Sequence, residues 1–462
     1  MKFKWLSRGA GDTVTVFFAG FACDAAILSK CSLPKTDVCV VFDYRDFSLS
    51  EDFSRYAKVR IVAWSFGVKV ADVATADWAN VVSRIALCGS TFPVDDTLGI
   101  PRAVFEKTLE NFDAAGVEKF YKRVCGARNF AQNRALLCSR TPDELRDELR
   151  SCGRFFDADH TAKSRWDCAF ACGGDKIFPT RNLARAFPKT LTVWEGEHLS
   201  PELFDYALNA FHRGGKLASA FEKSADSYEK CAVVQKNVGL FLREKLQKLF
   251  PERKFKRAFE FGCGTGFLTS QIKKHIACES YVVNDISPAL CLSAANASGA
   301  RACFGPVEKL ALAQLSPKPD LILSASCLQW IDARPSLYKR LFDASESGAV
   351  LALGTFGEGN FPEFSELGID TLEYDSFETF TSEIAAAGFE IAFCANETFA
   401  FSFASVRDIL RHIKNTGVHG EFASFWTPQK LRRFETEYTR RFGDSGGVRL
   451  TYNPMTAIAV RK

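Results

Sequence analysis

Three side chains in the first half of the sequence have types and an order that suit hydrolysis by a serine nucleophile. Ser65 lies in the segment Ala-Trp-Ser-Phe-Gly at 63–67, which follows an apolar run and precedes a helical pattern. This spacing is typical of a nucleophile elbow, the sharp strand-to-helix turn that exposes a serine, with alanine in place of the first glycine. Asp175 and His198 follow two later apolar runs, so each is expected at the end of a strand.

The order Ser65, Asp175, His198 is the order of the catalytic groups in α/β-hydrolases. In that arrangement His198 takes the proton from Ser65, and Asp175 holds the imidazole in its useful tautomer. An oxyanion hole needs two backbone N–H groups, and we expect them at Phe66, directly after the serine, and at Phe21, in the loop after the first apolar run. These five residues are the predicted catalytic set.

Each of these residues also has an ordinary structural interpretation. Ser65 alone is compatible with a turn serine, and Asp175 with a turn former beside two glycines. His198 is compatible with a histidine just ahead of a helix start at 200–202. Asp95 or Asp96, after the run 84–88, is the rival acid.

A second constellation, in the other half of the chain, suits a nucleoside cofactor. Residues 260–266 read Glu-Phe-Gly-Cys-Gly-Thr-Gly, and Asp285 ends the next apolar run. The three glycines, Gly262, Gly264 and Gly266, let the backbone approach a ligand closely. Asp285 is predicted to accept hydrogen bonds from both ribose hydroxyls, and Glu260 lies where class I methyltransferases place an acid near the methionine end of S-adenosylmethionine. The alternative is a different nucleotide site or an inactive sheet domain.

The segment expected to contact the adenine ring departs from the usual pattern of the class. Class I methyltransferases often carry Gly-Asp at the place where this sequence has Gly305-Pro306. Because proline removes that carboxylate, we expect the adenine contact elsewhere, at the backbone near Val307.

Short apolar runs that alternate with helical patterns are expected to position both sets of residues. Buried strands of this kind with intervening helices favour mostly parallel sheets. The predicted strands lie at 13–19, 37–42, 59–63, 84–88, 167–172, 190–194, 257–261, 280–284, 320–323, 349–354 and 448–460. Only two of these strands precede the strand of Ser65, so the antiparallel strands that usually begin a hydrolase sheet are expected to be absent.

The predicted fold class is therefore α/β: a small α/β-hydrolase sheet followed by a class I, Rossmann-like methyltransferase domain. A polar, glycine-bearing stretch at 212–216 gives the boundary, with domains at 1–211 and 212–462. A helical region is expected at 219–249, and helical segments at 400–443 before the last strand.

The composition of the chain argues against several classes of protein. The chain has 462 residues, 47% of them hydrophobic, and a net charge of +4, which is too weak to argue for nucleic acid. The 16 cysteines include no C-x-x-C pair and the six histidines are scattered, so no metal site is expected. Several cysteines lie in apolar runs, where they are interpreted as small core residues, and a reducing cytoplasm is favoured. No run of 18 apolar residues exists, so no membrane span is expected.

The first half resembles a known family. Segments at 18–21, 42–45, 63–67 and 99–101 are similar to the compact pimeloyl-acyl-carrier-protein methyl esterases of biotin synthesis. The resemblance covers most of 1–211. It implies hydrolysis of a methyl ester on an acyl chain that phosphopantetheine carries.

The second half resembles the malonyl-acyl-carrier-protein O-methyltransferases, over roughly 219–460. The similar segments are 224–235, 324–330, 355–363 and a shortened 415–420. The resemblance implies S-adenosylmethionine as cofactor and an acyl carrier protein as partner. Tyr228 is a candidate contact to the cofactor or the substrate carboxylate, and Arg411, His412 and His419 are candidate anchors for that carboxylate; the alternative for each anchor is a solvated helix face.

Together the two resemblances imply a bifunctional enzyme whose halves methylate malonyl carrier protein and demethylate methyl-pimeloyl carrier protein. Two other interpretations stay open. One is a general esterase or thioesterase fused to a small-molecule methyltransferase. The other is a scaffold whose methyltransferase half is degenerate, for which Pro306 is the main argument.

Overall fold

The structure, a computed structural model, describes residues 1–9, 11–213, 232–315, 317–415 and 427–462. Contacts divide the chain into two compact units, Met1–His212 with Lys309–Ala311, and Arg213–Glu308 with Leu312–Lys462. Among the described residues, no helix is long and apolar enough to cross a membrane. Each unit is built on its own sheet.

The first unit contains a sheet whose seven described strands lie in the order β1-β3-β2-β4-β5-β6-β7. Its strands are β1 (Lys2–Ser7), β2 (Thr13–Phe18), β3 (Asp37–Phe42), β4 (Lys58–Trp64), β5 (Val81–Leu87), β6 (Cys168–Cys172) and β7 (Leu191–Trp194). Strands β2 to β7 pair in parallel, and β1 pairs antiparallel with β3. The expectation that only two strands precede that of Ser65 is wrong, because the alternating segment Lys2–Ser7 adds an antiparallel edge strand.

The described part of this unit also contains seven α-helices, of which the first and sixth pack on the sheet. They are α1 (Gly67–Ala74), α2 (Arg102–Glu110), α3 (Ala114–Cys125), α4 (Phe130–Asn133), α5 (Pro142–Ala158), α6 (Thr180–Ala186) and α7 (Pro201–Arg213). The start of α5 shows why the chain turns helical there: the Thr141 hydroxyl and the Glu144 carboxylate satisfy each other's backbone N–H groups, and Pro142 has the right φ for a first turn. The inward face of α5 is buried, including Leu145, Glu148 and Leu149.

The second unit contains another sheet, with its described strands in the order β10-β9-β8-β11-β12-β17-β13. The strands are β8 (Phe255–Phe261), β9 (Cys278–Asp285), β10 (Arg301–Phe304), β11 (Leu321–Ala325), β12 (Val350–Phe356), β13 (Phe389–Asn396) and β17 (Pro454–Arg461). β8 to β12 are parallel, and β17 runs antiparallel between β12 and β13. The five parallel strands bring the ends of β8, β9 and β11 to one edge.

The helices of this unit are α8 (Val233–Leu249), α9 (Phe267–His275), α10 (Pro288–Ser298), α11 (Arg334–Ala344), α12 (Pro362–Ser365), α13 (Phe377–Ala386), α14 (Val406–Asn415) and α15 (Pro428–Phe442). A small antiparallel sheet contains β14 (Phe399–Phe403), β15 (Gly443–Asp444) and β16 (Gly447–Tyr452). The expectation of helices throughout 400–443 is therefore wrong at its start. There the alternating segment Phe399–Phe403 pairs with β16 and packs beside a buried aromatic cluster that includes Phe364, Tyr438 and Tyr452.

Candidate active site and candidate cofactor site

Ser65 sits in a strained turn between β4 and α1. Its φ is 58°, in the left-handed region that residues with a Cβ seldom adopt. Two glycines make room for this turn. A Cβ on Gly67 would lie 2.3 Å from the carbonyl oxygen of Phe18, and a Cβ on Gly89 would lie 2.2 Å from the carbonyl oxygen of Ser65. The turn is thus the nucleophile-elbow geometry that the motif predicts.

The structure brings Ser65, His198 and Asp175 together at the carboxyl edge of the first sheet. Nε2 of His198 lies 3.1 Å from Ser65 Oγ, and Nδ1 lies 2.8 Å from Oδ2 of Asp175. Because Nδ1 faces an acceptor-only carboxylate, the proton of the neutral ring belongs on Nδ1. Nε2 is then the acceptor for the serine hydroxyl.

The Asp175 carboxylate is held from its other side as well. Its Oδ1 accepts hydrogen bonds from the amides of Ile177, at 2.7 Å, and Phe178, at 3.0 Å. The Phe178 ring stacks on the His198 ring with centroids 6.0 Å apart. Since the Asp175 and His198 side chains are almost fully buried, the pair is fixed and shielded from water.

The rival acids have other partners. Oδ1 of Asp95 accepts hydrogen bonds from the amides of Thr97 and Leu98 in its own turn, both at 2.8 Å. Oδ1 of Asp96 accepts one from the amide of Arg102, at 2.9 Å. The carboxylate that accepts the hydrogen bond from His198 Nδ1 is that of Asp175.

The predicted oxyanion donors come from two different loops. Phe66 precedes the first residue of α1, and Phe21 lies in the loop after β2. Within the described residues, neither amide donates a hydrogen bond to the protein. Both rings line a cleft of about 450 Å³ with Ser65; the other lining residues are Ile100, Val104, Phe105, Thr108, Phe120, Arg123, Leu149 and Ile177. The cleft is mainly apolar, as an acyl chain would require.

Three side chains here also form a candidate metal cluster. One ligand atom each from Cys88, Asp175 and His198 lie within 4.8 Å of one another. Burial raises the pKa of the Cys88 thiol well above its ordinary value, which keeps it protonated and a poor metal ligand. The absence of a metal site stays a prediction.

In the second unit, the glycine loop after β8 borders an open cavity with about 1150 Å³ of empty volume. Gly262, Gly264 and Gly266 have φ values of 67°, 52° and 85°, in the left-handed region that glycine adopts without penalty. A Cβ on Gly264 would meet no atom within 4 Å, so the space above the loop is open to a ligand.

The two predicted acids line this cavity. Asp285 accepts hydrogen bonds from the amides of Gly264, at 2.8 Å, and Ser287, at 2.9 Å, so it also fixes the glycine loop. Glu260 is buried and accepts a hydrogen bond from the Tyr281 hydroxyl at 2.5 Å. Burial raises the pKa of Glu260 to about 7, and the Tyr281 hydroxyl opposes this shift.

The side of the cavity beyond Asp285 is built from Ile286, Gly305, Pro306, Val307 and Glu308. Pro306 lines the cavity where a carboxylate is common in the class, and Val307 adjoins it. Ile286, Pro306 and Val307 give this side apolar surface, and Glu308 adds a carboxylate. The predicted backbone contact near Val307 stays a prediction.

The remaining predicted contacts are less well placed. Tyr228 and His419 lie outside the described residues. Arg411 is exposed and pairs with Asp408 at 2.7 Å. Nε2 of His412 lies 2.7 Å from the Tyr452 hydroxyl, and burial lowers the pKa of this histidine. Neither residue lines the cavity, and their substrate role stays a prediction.

Two cavity residues were missed as individual sites. Ser326 directly follows β11 and has a φ of 59°, and its Oγ is buried without a hydrogen-bond partner in the described residues. Oε1 of Gln235, on α8, is likewise buried and unpaired within that part of the chain. Both residues line the cavity. Both fall inside the segments that carry the family resemblance, which was the available signal.

The sheet order and the serine turn define the first unit as an α/β-hydrolase fold, and the second sheet with its glycine loop is a class I methyltransferase fold. The family model "Pimeloyl-ACP methyl esterase BioG" matches residues 1–207, and the model "Methyltransferase domain" matches residues 259–351.

Individual relatives match the same two parts of the chain as these family models. A malonyl-[acyl-carrier protein] O-methyltransferase of Bacteroides fragilis is 31% identical over 97% of this chain and 92% of its own length. One from Acinetobacter baylyi is 32% identical over 53% of this chain and 96% of its own length. The crystal structure of BioG from Haemophilus influenzae, at 31% identity and a TM-score of 0.42, covers 44% of this chain and 97% of that chain. The chain belongs to the malonyl-[acyl-carrier protein] O-methyltransferase family and carries a BioG domain ahead of its methyltransferase domain.

Proposed function

We propose that the chain is a bifunctional enzyme of biotin synthesis. Residues 212–462 methylate the free carboxylate of malonyl carrier protein with S-adenosylmethionine, and residues 1–211 hydrolyse the methyl ester of pimeloyl carrier protein. The observation that carries the proposal is the hydrogen-bonded chain from Ser65 through His198 to Asp175 in a protein of this methyltransferase family. A methyl donor site and a serine hydrolase site in one chain suit the addition and removal of one methyl group.

Ester hydrolysis starts at Ser65. Its Oγ attacks the ester carbonyl carbon while Nε2 of His198, 3.1 Å away, takes the hydroxyl proton. Asp175 stabilises the imidazolium that forms, because its carboxylate lies 2.8 Å from Nδ1. The carbonyl oxygen becomes an oxyanion, to which the amides of Phe21 and Phe66 donate.

The intermediate then collapses. The bond from the carbonyl carbon to the methoxy oxygen breaks, and methanol leaves with the proton from Nε2. Water next attacks the acyl group on Ser65 and gives its proton to Nε2, and the second collapse returns that proton to Oγ. The products are methanol and a free pimeloyl carboxylate on the carrier.

The second cavity fits S-adenosylmethionine. Its glycine loop is open above Gly264, Asp285 offers carboxylate oxygens for the ribose, and buried Glu260 matches a cationic amino group. When bound, S-adenosylmethionine supplies an electrophilic methyl group. The malonyl carboxylate is ionised at neutral pH, so no general base is needed. The protein must therefore bind the two reactants in line and exclude water between them.

The two reactions together would control whether the acyl chain carries a charged carboxylate. A free carboxylate is costly to place in an apolar acyl channel, and methylation removes its charge. The enzymes that elongate acyl chains then accept the ester, and its later hydrolysis ends elongation. The burial of most cysteines is compatible with a cytoplasmic location, which we propose as well.

Mass spectrometry of the carrier protein tests the methyltransferase half. The chain with Ser65→Ala is incubated with S-adenosylmethionine and malonyl carrier, and acetyl carrier is the control because it lacks a terminal carboxylate. We expect a gain of one methyl on malonyl carrier only. Equal gain on both carriers, or on neither, would refute carboxyl methylation.

The esterase half is tested with the full chain in the absence of S-adenosylmethionine. We expect methyl-pimeloyl carrier to lose its ester methyl faster than methyl-malonyl carrier does, since otherwise methylation and hydrolysis would form a futile cycle. Equal turnover of the two carriers would contradict this selectivity. Loss of the whole acyl group would instead indicate a thioesterase.

A further inference from the structure

Glu148 is a buried carboxylate of the first unit that the proposed mechanism does not use. It lies on the inward face of α5 and is 0% exposed. Oε1 accepts a hydrogen bond from the amide of Tyr44 at 2.9 Å, and Oε2 accepts one from the amide of Ala22 at 3.3 Å. The Arg140 guanidinium also donates to Oε2, at 2.7 Å. One carboxylate thus joins the loop after β2 to the loop after β3.

The loop after β2 is bonded to the protein on both sides of Phe21. The Ala19 carbonyl accepts from the Tyr44 hydroxyl at 2.5 Å, and the Ala19 amide donates to the Val41 carbonyl at 2.9 Å. The Cys23 carbonyl accepts from Arg140 at 3.3 Å. In contrast, the Phe21 amide donates to no protein acceptor in the described residues. The residues on both sides of Phe21 are therefore held by hydrogen bonds, while the Phe21 amide stays free to donate to a ligand.

The conformation of Ala22 shows why external bonds are needed. Its φ is 62°, in the left-handed region that is unfavourable for a residue with a Cβ. Such a conformation persists only where surrounding contacts determine it. The bond from the Ala22 amide to Glu148 is one of them, and the bond from the Cys138 amide to the Ala22 carbonyl, at 3.3 Å, is another.

The two amides and the guanidinium N–H that donate to this carboxylate favour its ionised form. Burial raises the pKa of Glu148, and the positive charge of Arg140 opposes the shift. Arg140 also lies 3.2 Å from Asp43, which connects this cation to the loop after β3. The ion pair therefore compensates the buried charge at the point where both loops meet.

We propose that Glu148 is a positioning residue for ester hydrolysis: by holding the Ala22 amide it aims the adjacent Phe21 amide at the oxyanion. This inference rests on the proposed function of the first unit. It adds a residue 126 positions from Ala22 that would act through the Ala22 amide and not on the substrate itself.

The test is Glu148→Gln in the full chain. The amide keeps the size of the side chain, but its NH₂ would face another N–H donor. The probe is p-nitrophenyl butyrate, which needs an oxyanion hole and no carrier protein. We expect kcat to fall about 10- to 100-fold with KM nearly unchanged, because the lost contact acts on the transition state. Affinity for a trifluoromethyl ketone, which forms an oxyanion on Ser65, should fall in parallel.

Asp72→Asn is the matched control. Asp72 is also 0% exposed and accepts two main-chain amides, those of Lys163 at 2.8 Å and Ser164 at 2.9 Å, but it lies at the other end of α1 from Ser65. We expect this variant to lose thermal stability without loss of kcat in the folded protein. A drop in kcat no larger for Glu148→Gln than for Asp72→Asn would overturn the proposal.

Tyr44→Phe provides a second variant in case Glu148→Gln does not fold. It removes only the hydroxyl that holds the Ala19 carbonyl, and we expect a smaller fall in kcat, also with unchanged KM. A change confined to KM, or undiminished ketone affinity, would contradict a positioning role.

The wild-type chain separates this proposal from the proposed function. If it hydrolyses the probe but not methyl-pimeloyl carrier, the proposed substrate is refuted, and the comparison of Glu148→Gln with Asp72→Asn still tests the positioning role. A wild-type chain inert to both esters would overturn both proposals.

Discussion

Oγ of Ser65 lies 3.1 Å from Nε2 of His198, although the two residues are 133 positions apart in the sequence. The proximity follows from the parallel sheet, since β4 and β7 both end at the same edge. Asp175 lies in the loop after β6, which comes between β4 and β7 in the sequence. Its carboxylate binds His198 Nδ1 and so completes the hydrogen-bonded chain of three side chains.

The first prediction distinguishes the acid from its rival. Asp175→Asn should lower kcat for ester hydrolysis about 10⁴-fold, because an asparagine amide no longer holds Nδ1 protonated. Asp95→Asn is the control, since Asp95 serves only its own turn in the hydrogen bonds described above. Steady-state kinetics with methyl-pimeloyl carrier measure both variants. A larger loss in Asp95→Asn would transfer the role to that residue.

The second prediction concerns the elbow. Gly89→Ala places a Cβ 2.2 Å from the Ser65 carbonyl oxygen, which is too close for van der Waals contact, so the turn must shift. We expect a destabilisation of about 1–3 kcal/mol and a loss of esterase activity. Gly11→Ala, where a Cβ meets no atom within 4 Å, should change neither. Scanning calorimetry and the esterase assay provide the readouts, and an active, stable Gly89→Ala would show that the turn tolerates the change.

The third prediction concerns the cofactor. Asp285→Asn should weaken binding of S-adenosylmethionine about 10- to 100-fold, because ribose contacts to a carboxylate and the bond that fixes Gly264 are both weakened. Asp320→Asn is the control: Asp320 also accepts two main-chain amides, at 2.8 Å and 2.9 Å, but it precedes β11, at the opposite edge of the sheet. Isothermal titration calorimetry measures both, and equal affinities for the two variants would contradict the ribose role.

The fourth prediction is a pH dependence. Burial raises the pKa of Glu260 to about 7, so below that pH the side chain is largely neutral. A cationic cofactor favours the ionised form, and its affinity should therefore increase as pH rises through about 7, with proton release on binding. Calorimetry in buffers of different ionisation enthalpy detects the proton. Glu260→Gln should bind more weakly and show no such dependence; an unchanged pH profile in this variant would assign the proton elsewhere.

The sequence predicted the local features better than the long-range ones. The apolar runs around Ser65 and residues 260–266 are strong strand signals, and their ends fall within a few residues of the observed strands. The edge strand Lys2–Ser7 was missed because its lysines alternate with apolar residues, and Phe399–Phe403 because neighbouring helical patterns masked a short alternation. Glu148 could not be found from the sequence, since an acidic residue in a charged helix is ordinarily exposed and only the fold buries it.

The most direct test of two opposed activities at two sites is a crossed comparison by intact-protein mass spectrometry. Ser65→Ala and Asp285→Asn are each given malonyl carrier with S-adenosylmethionine and, separately, methyl-pimeloyl carrier. We predict that Ser65→Ala methylates the first and leaves the second unchanged, and that Asp285→Asn is impaired on the first and demethylates the second. Loss of both activities in either variant with intact fold, or retention of both in Ser65→Ala, would contradict the account.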